Sequence, residues 1–392
     1  MGAQSVTRWA RRFVGASALF LVAWQVAALA EAPRQVEVSL AVYGFVLHAV
    51  FGKAYSLVPS YFDRRLALPR APAVHFPFAV IGTLGLALAP FRGVPEGVGL
   101  VGAVCWTAGA AVFVAALGWT LRGNLAGRET GTGGPNAHRR GVDRYANAFV
   151  PVVFAYLVAG SYGTLAAHTE IPTPIPFGFA QTAHLLAAGT AALLVFAVGF
   201  RLFPRFLAAD PPSVLVAVVL PAGAVAPAIL ASNFYRDPWF RVGAALEAVA
   251  VVGFALAYAA LFARSERPRV GFYAVLVGAV CGVGGVLLGL HFAFGGAAPA
   301  LVAVHFRLNA LGFLGLTIAG ATYQFYPPAV GEFPGASDRT ALASVGLIGG
   351  GLLAETASVL AGVEGGVVAG HVLALAGAAI FAGLTIGAFL DR

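Results

Sequence analysis

The chain has 392 residues, of which 59% are apolar and only 10% are charged, and its mean hydropathy is +0.85. Soluble domains carry about a quarter charged residues, so this composition excludes a soluble protein and predicts an all-α membrane protein. The formal charge of +8 falls on arginines between apolar segments. This placement indicates orientation in a bilayer and argues against a nucleic-acid partner.

Breaking the chain at charged and Pro/Gly-rich stretches predicts twelve transmembrane helices that form a single domain, residues 1–392. The first has the basic start of a signal peptide, but no convincing cleavage site follows, so we expect a membrane helix. The predicted helices cover residues near 13–30, 37–58, 74–91, 96–121, 146–167, 177–203, 213–234, 239–263, 270–293, 298–326, 340–362 and 366–389.

The arginine clusters between these helices all fall on one side of the membrane when the helices alternate in direction. By the positive-inside rule this predicts a multi-pass protein of the cell membrane with both termini in the cytoplasm. The longest loop, residues 123–144, is Gly-rich and polar. We expect it to be cytoplasmic, with His138 solvated.

Helices 2, 6 and 10 share a pattern, because each ends in a proline flanked by aromatic residues: Pro59, Pro204 and Pro327. A recurrence every four helices predicts a bundle with pseudo-threefold character, built from three four-helix units, in which the equivalent helices line one interior. The units cover residues of about 13–121, 146–263 and 270–389.

Polar side chains concentrate in one layer of the predicted bundle, the outer third of the membrane, when depth is counted at about 1.5 Å per residue. A hydrogen bond between helices accounts for any single histidine among them, whereas the layer as a whole indicates a buried cofactor or an ion path. Its members are His184, Glu247, His291, His305, Glu355 and His371.

Part of helix 10 resembles subunit I of the haem-copper oxidase superfamily, particularly the branch with microaerobic oxidases and nitric oxide reductases. The matching residues are His305, Phe306 and Gly312, then Gly320-Ala321, Tyr323 and Pro327. Helix 6 is also similar. His184 precedes Pro204 by the same spacing that separates the family's first copper histidine from the proline that ends its helix. The resemblance implies that His305 is the axial ligand of a single haem. His184 would lie on its distal side, as a second axial ligand, a group that contacts a gas ligand, or a proton carrier.

The chain departs from that family at its other metal ligands. Arg307 stands where the family has its low-spin haem histidine, and a guanidinium cannot ligate iron. Ser232 and Asn233 stand where the family has a copper-binding histidine pair. We therefore expect no second haem, no stable copper centre and no complete terminal oxidase.

The remaining polar residues of the layer are expected to surround the haem ligands or to form a proton route to the outer face. They are Arg307, Glu247, His291, Glu355 and His371. Arg307 lies about 200° around the helix from His305. We expect it to pair with Glu247, with Glu355 or with a haem propionate, and we favour a carboxylate on a neighbouring helix.

The function implied by the resemblance is haem binding in the bilayer, with a role in sensing a small gas ligand (NO or O2), in haem handling or beside other respiratory membrane subunits. The alternative is a cofactor-free transporter with a proton-coupled site in the same layer. Pro221 and Pro227 favour it, because they could break helix 7 as transporter helices are broken. A third interpretation is a structural subunit that has lost its cofactor.

Overall fold

The computed structural model describes residues 2–173, 177–267 and 269–391. Within these ranges twelve helices are long and apolar enough to cross a membrane, which confirms the predicted all-α architecture of an integral membrane protein. A helix satisfies its own backbone polar groups, as lipid requires. The helices are α1 (Gly2–Leu29), α2 (Arg34–Tyr61), α3 (Ala71–Leu88), α4 (Gly97–Leu121), α5 (Val150–Ala166), α6 (Phe179–Leu207), α7 (Ser213–Ser232), α8 (Trp239–Ala263), α9 (Val270–Gly295), α10 (Pro299–Val330), α11 (Asp338–Ala361) and α12 (Glu364–Leu390).

Helices α2, α6 and α10 form the centre of the bundle, as the repeated prolines predict. In their most apolar stretches 89%, 78% and 61% of the residues are buried, against 33–50% in the other nine membrane helices of the described ranges. The equivalent helices therefore share one interior. The limits of the three four-helix units remain a prediction.

Each central helix also changes locally from α-helical to π-helical geometry. The π-helical segments are Ser39–Val46 in α2, Leu185–Ala192 in α6 and Leu308–Gly315 in α10, each of 8 residues. They end 13, 12 and 12 residues before the repeated prolines, and each one contacts the other two. A π-helix is rare and is frequently found at functional sites. Its occurrence at one level in three helices therefore makes this level of the bundle a candidate functional region.

The long polar loop is more ordered than the sequence suggests. It contains a 3-10 turn, Gly134–Arg139, and a short helix, Arg140–Asn147. The buried carboxylate of Asp143 joins this helix to α6, because it lies 3.4 Å from Arg201 and 2.6 Å from Arg205. The His138 side chain is 54% exposed, as expected.

Candidate functional site

His184 and His305 lie together on α6 and α10, where the two helices approach their π-helical segments. Their ring centroids are 6.4 Å apart and their planes differ by 21°. The two imidazole rings are therefore close together and nearly parallel. Both side chains are partly exposed.

The two histidines lie at different distances along the chain from the repeated prolines. His184 lies 20 residues before Pro204, whereas His305 lies 22 residues before Pro327. The position in α10 that matches His184 is therefore Arg307. Counted from the first residues of α6 and α10, His184 and His305 lie five and six residues into their helices, so their depths agree as expected.

Backbone carbonyls orient both imidazoles. Nδ1 of His184 lies 2.8 Å from the carbonyl oxygen of Ala180, and Nδ1 of His305 lies 2.8 Å from that of Gly285. Because a carbonyl can only accept, Nδ1 carries the proton in each ring, and Nε2 keeps its lone pair. This is the arrangement in which a second hydrogen bond prepares a histidine to bind a metal.

Helix α9 approaches His305 closely because it is rich in glycine. A β-carbon on Gly289 would lie 3.3 Å from Cε1 of His305, and one on Gly285 would lie 2.7 Å from the amide carbon of Asn309. Larger residues at these positions would push α9 away and move the Gly285 carbonyl off the imidazole. The edges of the pair contact Phe234 and Phe292, at 5.1 Å from His184 and 5.5 Å from His305.

Arg307 points away from the histidine pair and is buried, with 2% of its surface exposed. Its Nε donates to Glu355 at 2.6 Å, and its Nη2 donates to Gln25 at 3.1 Å. The other Glu355 oxygen lies 3.6 Å from His371. The predicted pairing with a carboxylate on a neighbouring helix is confirmed, and the partner is Glu355.

The predicted surroundings of the haem ligands are thus divided between two places. Glu355 and His371 lie beside Arg307, between α10, α11 and α12. Glu247 is on α8, with one buried carboxylate oxygen that has no hydrogen-bond partner among the described residues. His291 is exposed near the outer end of α9.

The two fully buried histidines lie elsewhere. His48 is fully buried, and its Nδ1 lies 2.8 Å from the carbonyl oxygen of Tyr43. His75 contacts the Tyr55 hydroxyl at 3.1 Å. Both rings pack against Phe13, at centroid distances of 5.8 and 5.0 Å. These contacts place them among the aromatic side chains of α1–α4.

The cavity between the central helices lies between their π-helical segments and their prolines, and not between the two histidines. It has a volume of about 90 Å³. Each helix contributes the residues that lie 10, 9, 6, 5 and 2 positions before its proline, which shows the threefold register directly. Lys53, Val198 and Ala321 are one such equivalent set.

Sequence reasoning missed Lys53, although a simple signal was present. The chain has 24 lysine and arginine residues, and Lys53 is the only lysine. It also lies inside a membrane helix, where an ionisable residue indicates function by default. The predicted polar layer contains only histidines, glutamates and Arg307, and does not include Lys53.

No protein-family model matches the chain, and no curated protein matches it. Within the described residues no group of three or more His, Cys, Asp or Glu side chains could hold a bare metal ion. What the structure brings together near the N-terminal ends of α6 and α10 is a pair of neighbouring imidazoles.

Proposed function

We propose that this integral membrane protein binds one haem between His184 and His305. The observation that carries the proposal is the separation of the two rings, 6.4 Å between centroids. Two imidazoles that hold one metal from opposite sides, at about 2 Å per metal–nitrogen bond, have centroids about 6 Å apart. The free Nε2 lone pairs supply the ligand atoms.

The donor set favours haem over a bare ion. A structural zinc or copper site usually needs three or four protein ligands, whereas a porphyrin provides four and leaves two axial positions for histidine. The two imidazoles match that requirement in the number of ligands. A bound haem would supply one-electron chemistry at iron, and the protein would hold it with His305 and His184 and orient both rings through Gly285 and Ala180.

The same geometry favours one of the functions that the resemblance implies, holding a haem, over another, gas sensing. If both histidines held the haem, a small gas ligand would have to displace one of them. Holding a haem, alone or beside respiratory membrane subunits, needs no such displacement, whereas passing it on would require both imidazoles to leave. We therefore favour holding a haem over gas sensing.

The transporter alternative loses its best sequence argument. Helix α7 is continuous from Ser213 to Ser232, through both Pro221 and Pro227. Transporter sites are commonly built from discontinuous helices, and α7 supplies no such break.

The test is an absorption spectrum of the protein purified from haem-replete cells. We expect a Soret band in the wild type and its loss in His305→Ala, because that variant removes one of the two ligand nitrogens. His48→Ala is the matched control and should keep the band, since its imidazole lies among Phe13 and other aromatic side chains. A colourless wild-type protein, or loss of the band in His48→Ala alone, would refute the proposal.

A further inference from the structure

Lys53 lies in the cavity between the central helices and is the only charged residue among those that line it. Its Nζ donates to the hydroxyl of Tyr326 at 3.1 Å. It also lies over two aromatic faces, 3.9 Å from the ring centre of Phe325 and 4.2 Å from that of Tyr326. Among the described residues no carboxylate forms an ion pair with it.

A cation in such a place normally has a counter-ion. Removing an ion from water costs several kcal/mol, whereas a cation–π contact returns about 0.5–2 kcal/mol. The charged side chain that acts on Lys53 is Arg11 of α1, which is also positive. The protein therefore places a partly exposed ammonium group against apolar walls and supplies no negative charge.

We infer that the cavity binds a small carboxylate, with its charged end on Lys53 and its alkyl chain between α2, α6 and α10. Thr317 provides a second donor on another wall. Its side chain is 3% exposed, it lines the cavity, and its hydroxyl has no hydrogen-bond partner among the described residues. A buried hydroxyl without a partner costs free energy that a ligand oxygen would recover.

The size of the cavity limits the ligand. One water molecule needs about 10–15 Å³ in this measure, so a volume of about 90 Å³ admits a chain of about four to six carbon atoms. The carboxylate could be that of a free short-chain acid, or the end of a longer fatty acid that enters from the bilayer. Both present the same chemistry to Lys53 and Thr317.

The inference is tested with the full chain in nanodiscs of neutral lipid, using hexanoate as the probe and saturation-transfer NMR as the readout. We expect hexanoate to bind at least tenfold more tightly than hexanol or hexylamine, which lack the negative charge. Lys53→Met should weaken hexanoate binding by about tenfold or more, as expected for the loss of a charge-assisted hydrogen bond. Lys53→Arg should retain most of the binding, and Thr317→Val should weaken it by a smaller factor.

Arg339→Met is the matched control, because Arg339 is exposed and lies outside the cavity; it should leave binding unchanged. A comparison of hexanoate with palmitate distinguishes the two sources, since only a bilayer fatty acid gains from the longer chain. Equal binding of hexanoate and hexanol to the wild type would overturn the inference, and so would unchanged hexanoate binding in Lys53→Met.

A second measurement needs no variant. Because Lys53 is the only lysine, reductive methylation with ¹³C-formaldehyde labels one side chain besides the terminal amine. Hexanoate should shift the Lys53 methyl signal, whereas hexanol should not. The terminal-amine signal should not move with either compound. A Lys53 signal that does not respond to hexanoate would overturn the inference even if Lys53→Met fails to fold.

Discussion

Two residues of α10, His305 and Arg307, are separated by one position in the chain and contact different parts of the bundle. His305 turns to His184 on α6, while Arg307 turns to Glu355 on α11. The rotation of about 200° between them was evident from the helical repeat. The choice of Glu355 over Glu247 was not, because it depends on how α8 and α11 are rotated about their own axes.

The Arg307–Glu355 pair should be costly to break. We expect Arg307→Met to lower the free energy of unfolding by about 3–5 kcal/mol, because it leaves the Glu355 carboxylate buried without its cation. Replacing Glu355 by Gln in the same protein should recover much of the loss. Thermal melting of the detergent-solubilised variants measures both effects.

The exposed Arg339→Met variant controls for the loss of one positive charge. An Arg307→Met protein that melts with the wild type would contradict the idea that the pair stabilises the bundle. So would a double variant that melts below Arg307→Met.

At the scale of the elements, the sequence predicted the number and approximate limits of the membrane helices, since apolar length and Pro/Gly punctuation determine both. It did not predict the π-helical segments. These are the segments Ser39–Val46, Leu185–Ala192 and Leu308–Gly315. They are largely buried and apolar on every side, so hydrophobic periodicity contains no record of a local change in helical repeat.

The π-helical segment of α10 should accommodate one extra residue. Deleting one residue from Leu308–Gly315 should restore α-helical geometry and leave the preceding part of the helix in nearly the same orientation, because fewer residues at the tighter α-helical repeat cover nearly the same rotation. Deleting one residue from the α-helical part, Leu316–Phe325, should instead rotate the preceding part by about 100°.

A cross-link between α6 and α10 measures this difference. In a protein with Cys105 and Cys281 replaced by Ser, we expect His184→Cys and His305→Cys to be joined by a short bifunctional thiol reagent. The deletion in the α-helical part should abolish this cross-link, whereas the deletion in the π-helical segment should keep it.

Deleting Glu266, an exposed residue of the loop between α8 and α9, provides the control and should leave the cross-link intact. Loss of the cross-link in a monodisperse variant with one residue deleted from Leu308–Gly315 would show that the segment does not accommodate an extra residue.

On the scale of the whole molecule, the described residues contain three largely buried membrane helices surrounded by nine more exposed ones. Alternation of these helices predicts that α1 begins and α12 ends on the same side of the membrane. The repeated prolines and the arginine-rich loops are predicted to lie on that side as well. The sequence predicts that it is the cytoplasmic side.

Reporter fusions test this orientation. A fluorescent protein that matures only in the cytoplasm should be bright when fused to the C-terminus. Alkaline phosphatase should be active when inserted at Gly296, between α9 and α10, and inactive in the loop at Glu266. The reverse pattern of activities would show that the arginine-rich loops face outward.

The three π-helical segments also bear on the ancestry of the chain. Each occupies the same level relative to its proline, in helices separated by three others. If the three units descend from one four-helix ancestor, a single insertion in that ancestor accounts for all three segments, whereas insertion after duplication would have to occur three times at one level. The simplest history is that the ancestral unit already carried this distortion and assembled as a trimer around it before its copies were joined in one polypeptide.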